Sequence, residues 1–133
     1  MSNYRDYAAA LGRLLLVALF LISGAGKAAA PAATKAYMAS AGMPLIDLFY
    51  IGAIAMELGV GLLFLLGYQT RLAALALAFY SVLTAVIFHH DFADPAQWLS
   101  FLKDIAIVGG FLQVFAFGGG VYSLDSRLPM RAL

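Results

Sequence analysis

The chain has 133 residues, which fits one domain. Hydrophobic residues make up 64% and charged residues 11%, under half the usual ~25%, so a soluble surface could not be covered and an integral membrane protein is expected. A net charge of +1 leaves no basic patch for nucleic acid, and the lack of cysteine excludes disulfides, thiolate metal sites and thiol redox chemistry in the chain itself.

Residues 1–13 carry Arg5, Asp6 and Arg13 beside Tyr4 and Tyr7 and read as an interfacial lead-in. A first span follows over about residues 12–30, with Lys27 inside it. The basic start, apolar middle and small residues 28–30 also fit a secretory signal. Lys27 interrupts the apolar run, however, and Pro31 sits where cleavage would fall. Retention as a span is the expectation. Residues 31–44 form a loop with room for a short interfacial helix.

A second span runs over about 45–66 and carries Glu57 near its middle. A helix over residues 48–70 is about 34 Å long, enough to cross a hydrocarbon core of about 30 Å. A carboxylate at a span centre costs roughly 2.5–3.5 kcal/mol, so Glu57 should face protein or water and find a partner. The turn at 67–70 leads to a third span over about 72–90, which ends at His89 and His90. An acidic loop precedes a fourth span over about 98–117, with Lys103 and Asp104 in its first turns. Residues 118–120, all glycine, end it, and a short tail follows.

Short loops between four spans predict an all-α, up-down-up-down bundle in the membrane. Arg5, Arg13, Arg71, Arg127 and Arg131 gather at one end, against Lys27, Lys35 and Lys103 toward the other. The positive-inside rule then puts both termini in the cytoplasm. Gly24 with Ala28, Gly52 with Gly59, and Gly109 with Gly110 read as close-packing positions between helices.

Lys27, Glu57, Lys103 and Asp104 are the ionised residues inside the spans, and their charges sum to zero. Bilayer charges persist mainly by pairing. Measured from the loop prolines, Lys27 is about 6 Å deep and Glu57 roughly 20 Å. The expected pairs are Lys103 with Glu57 and Asp104 with Lys27. They form either an architectural lock or a small polar cavity for a ligand or proton relay. His89 and His90 at its mouth form a candidate gate, since histidine changes charge near neutral pH. Adjacent histidines cannot share one helix face, so no metal site is expected there. Residues 24–27 lack P-loop spacing, and residues 118–120 lack a dinucleotide-binding context.

The segments GAGK (24–27), ELGVGLLFLLG (57–67), FHHDF (88–92), FLKDIAIVGGFL (101–112) and GGGVYSLD (118–125), in this order and spacing, resemble the DoxX family of small four-span bacterial membrane proteins. Gly119 departs from a proline often found in the last motif, which affects only the local turn. The resemblance implies the bacterial cytoplasmic membrane. It also implies a role as a quinone-interacting or accessory subunit of a membrane oxidoreductase or oxidative-stress system, with no catalysis by this chain alone. Lys27 and Lys103 would donate to quinone oxygens, and Glu57 or Asp104 would handle protons. The alternatives are a small proton-coupled transporter using Glu57 and a purely structural interaction protein; self-association stays open.

Overall fold

The structure, a computed structural model, describes residues 3–129. Arg131, one of the arginines used for orientation, lies outside the described residues. Among those residues there are helices and no strands.

Helix α1 (Tyr4–Ala29) starts on a capping box: Asn3 accepts from the Arg5 N–H, and Asp6 accepts from the Asn3 N–H. The expected lead-in is therefore the first turns of the span itself. Helix α2 (Pro31–Ser40) follows, with Pro31 fixing its first turn. Helix α3 (Ile46–Leu66) has α-helical ends, Ile46–Ile54 and Gly61–Leu66, around a π-helical turn, Ala55–Val60. Helix α4 is Thr70–Phe88 and α5 is Pro95–Phe117. The last begins before residue 98 because Asp94 caps the Ala96 N–H and Pro95 occupies the first helical position. Four of these helices, α1, α3, α4 and α5, are long and apolar enough to cross a membrane. They run up, down, up and down, which brings both ends of the described chain to one end of the bundle, where Tyr7 stacks on Tyr122 at 5.5 Å.

The core lies toward that end. Val17 and Phe20 from α1, Phe64 from α3 and Phe111 from α5 close on the alanine-rich face of α4: Ala73, Ala74, Leu77 and Ala78. Phe111 meets Phe20 and Phe64 edge-on, at 5.4 and 5.2 Å. The alanines let the other helices approach closely, as small residues do in lipid. Gly110 allows the same on α5, where an added Cβ would stand 2.9 Å from Leu16. Gly52, Gly59 and Gly109 do not serve this purpose, since an added Cβ there meets nothing within 4 Å.

The α3–α4 turn is clamped from two sides. Gly67, at φ 72°, ends α3 in a Schellman motif, with Gly67 N–H donating to Phe64 O and Tyr68 N–H to Leu63 O. The buried guanidinium of Arg13 donates to the carbonyls of Phe64, Leu65 and Tyr122. It thus places a cation at the negative end of α3. Asp125 does the converse for α4: it accepts from the N–H of Gln69 and Thr70 and from the Thr70 hydroxyl, at 2.6–2.8 Å. Leu124 and Asp125 N–H groups bond back to Leu66 and Gly67 carbonyls, so the tail is stitched to the turn.

Burial alone would raise the Asp125 carboxyl, but the bonds from Thr70 and Gln69 and the Arg13 charge outweigh it and hold the group below the usual carboxylate range. Its folded value lies below its unfolded value, so its stabilisation is complete above about pH 4 and is lost as pH falls through the folded value. Asp125→Ala is expected to cost about 1–2 kcal/mol at pH 7 and to flatten this acid dependence, read by thermal unfolding in detergent across pH. Gly67→Ala is expected to cost more than about 1 kcal/mol in the same assay, because a Cβ at this positive φ would run into Ser123 and Arg13.

Candidate functional site

At the opposite end the bundle is hollow. A cavity of about 390 Å³ lies between α1, α3, α4 and α5 beneath α2. Apolar side chains such as Phe20, Met38, Met56 and Ile107 form most of its wall.

Its floor is an ion pair. The Lys27 ammonium sits 3.0 Å from both carboxylate oxygens of Glu57. Lys27 also donates to the Ser23 hydroxyl at 2.6 Å, and Ser23 donates to Glu57 Oε1 at 3.0 Å. Ser23 and Lys27 are four residues apart and so share one face of α1. Glu57 is carried by the π-helical turn of α3, whose extra residue per turn shifts the register of the side chains that follow. Gly24 lets α1 and α3 close at this level: a Cβ there would lie 3.0 Å from Glu57 Cβ and 2.9 Å from Leu58. Tyr50 fixes the pair from above by donating to the Lys27 carbonyl at 2.8 Å.

The Glu57 side chain is 6% exposed and that of Lys27 26%. Glu57 Oε2 is fully buried and makes no hydrogen bond of ordinary geometry among the described residues beyond its charge contact with Lys27. Tyr80, also in the wall, interacts with the same carboxylate.

The expected residues thus divide. Lys27 and Glu57 come together, against the expected partnering of Glu57 with Lys103 and of Lys27 with Asp104. Depths taken from Pro31 and Pro44 mislead because α1 and α3 do not end at one level. From Gly24, level with Glu57, α1 continues only about 8 Å to Ala29, whereas α3 extends about 16 Å from Glu57 to Ile46. Helix α2 fills the difference, and its Tyr37 stacks on Phe88 of α4 at 5.1 Å to roof the cavity. Asp104 does line the cavity, where its partner is His89 at 3.8 Å. Lys103 points out from α5, exposed and outside the lining, with no hydrogen bond or ion pair among the described residues. His90 is outside the lining as well and contacts the Ile87 carbonyl at 3.0 Å. Ser23 and Tyr80 were missed: a serine four residues before Lys27 was the available signal for the first, while nothing in the sequence distinguished Tyr80.

The profile of the DoxX family matches residues 8–90. Two similar proteins from Escherichia coli (strain K12) cover nearly the whole chain. Inner membrane protein YqjF is 38% identical over 128 residues, 96% of this chain and 97% of its own length. Inner membrane protein YphA is 38% identical over 137 residues, 94% of this chain and 97% of its own length. No solved structure matches.

Removing one member of a buried pair strands the other. Lys27→Met is expected to destabilise the protein by about 3 kcal/mol, whereas Lys27→Met with Glu57→Leu recovers most of that loss. Thermal unfolding in detergent distinguishes the two variants.

Proposed function

We propose that this chain, which belongs to the DoxX family, is an inner-membrane binding subunit of a redox or oxidative-stress system and holds a quinone-type head group over the Lys27–Glu57 pair. The observation that carries the reading is the mostly apolar cavity with one small polar floor. That is the usual build of a small-molecule site, and its volume lies in the usual range of about 300–1,000 Å³. Intramembrane ionisable residues also point to function. The names of the E. coli relatives support the inner membrane, and the arginine-rich end supports cytoplasmic termini.

The residues present fit such a head group. Lys27 supplies an ammonium donor for a carbonyl oxygen, Glu57 a proton acceptor, and the aromatic and aliphatic wall excludes water. A bound quinone would supply two-electron chemistry, with electrons coming from a partner oxidoreductase, so the chain is an accessory and not a catalyst on its own. Its own residues orient the oxygen, exclude water and hold a proton at Glu57. Asp104 with His89 stands at the rim, where protonation of His89 would strengthen their attraction. In this reading the gate is His89, and His90 takes no part in it.

Titration of detergent-solubilised protein with a short-chain quinone analogue is expected to show saturable binding. The Lys27→Met/Glu57→Leu variant should lose it, while Lys103→Met should retain it. Unchanged binding in the double variant would remove the site. Proton flux from vesicles that vanishes in Glu57→Gln, without quinone binding, would favour the transporter reading instead.

A further inference from the structure

We infer that the occupant enters this cavity sideways from the bilayer, through a window between α3 and α4, and is a neutral amphiphile with a long apolar chain. The inference rests on the binding role proposed above and specifies the class of ligand.

The window follows from the backbone. Beyond the π-helical turn, no Cα of Ile46–Ile54 comes within 8 Å of a Cα of α4, although the two helices pack closely below it. The residues along this gap belong to both the cavity and the outer surface. Phe49 and Leu83 line the cavity while 44% and 43% exposed, and Gly52 lies beside them with open space at its Cβ position. In a bilayer that outer surface faces acyl chains. The roof is shut by α2, whose Tyr37 is stacked on Phe88. On the α1 and α5 side Leu16 closes against Gly110 lower down, and although Leu19 lines the cavity while 53% exposed, Asp104 stands in the same wall and makes a poor path for a hydrocarbon chain. The α3–α4 gap is the apolar way in.

The floor selects the head. Lys27 and Glu57 neutralise each other, so no net charge is offered to an anion. Glu57 lies about 16 Å along α3 from Ile46, near the middle of a span, and a phosphate could reach it only by leaving the headgroup layer. A phosphate head group is therefore disfavoured at this floor. A head with uncharged carbonyl or hydroxyl oxygens can take the Lys27 donor while its chain leaves through the window into lipid.

Gly52→Trp tests this without endangering the fold, because the position is open and glycine is a poor helix former. Leu83→Trp narrows the gap from the other side. The parent and both variants are reconstituted in lipid nanodiscs and titrated with decyl-substituted benzoquinone and with the same ring lacking the chain, and circular dichroism checks helicity. The expected result is an affinity loss of about tenfold or more for the decyl probe that clearly exceeds the loss for the bare ring. Decyl binding that is unaffected, or equal losses for both probes, overturns the window and leaves the site reading standing. A parent that binds neither probe overturns the site reading and the window with it.

Discussion

A carboxylate inside a bilayer must be neutralised, and that requirement shapes the hollow half of this protein. Glu57 could not remain at the middle of a span without a cation. Lys27 meets the need only because Gly24 lets the two backbones close and because Ser23 takes part of the ammonium's hydrogen-bonding capacity. Tyr50 donates to the Lys27 carbonyl, whose partner four residues on would have been Pro31, which has no N–H and ends α1. The same pair then forms the polar base of a cavity that is otherwise apolar. Architecture and the proposed binding role are compatible accounts of these residues, since the pairing that stabilises the charges also leaves both of them lining the cavity.

The bundle divides its work along its length. At the end carrying the tail, Phe20, Phe64 and Phe111 interlock, and every terminus of the α3–α4 turn has a partner in Arg13 or Asp125. This half is closed. At the other end α3 departs from α4 beyond the π-helical turn, and α2 with Tyr37 covers the space that opens. A π-helical turn accommodates one extra residue at some cost in hydrogen-bond geometry, and such turns often mark functional positions. Here the turn carries Glu57 and coincides with the divergence of the helices. The tightly fastened half supplies the stability that a splayed, cavity-bearing half does not.

Charges near a membrane are easily credited with too much. Lys103 and Asp104 are neighbours in the sequence, as are His89 and His90, yet only Asp104 and His89 turn into the cavity. Lys103 is on the outward side of α5, where a long aliphatic stem can lie along lipid and carry its ammonium toward the interface. Its neighbour in sequence points about 100° away, and that angle alone separates a cavity residue from a surface one.

The sequence by itself determined the class, the four apolar helices and the residues whose charges demanded company. Composition and apolar run length carry that information locally, because each span must satisfy its own backbone in lipid. The glycine motif 118–120 and Asp125 were visible as a tail, but their fastening to Gln69 and Thr70 was not. Tertiary structure alone decided that Glu57 pairs with Lys27, that α2 stands in for the missing length of α1, and that Gly52 and Gly59 have open space beside them instead of packing. The reason is geometric. Partner choice depends on the relative height and rotation of whole helices, and a sequence fixes neither until the π-helical turn, the short α1 and the stitched tail have all been placed.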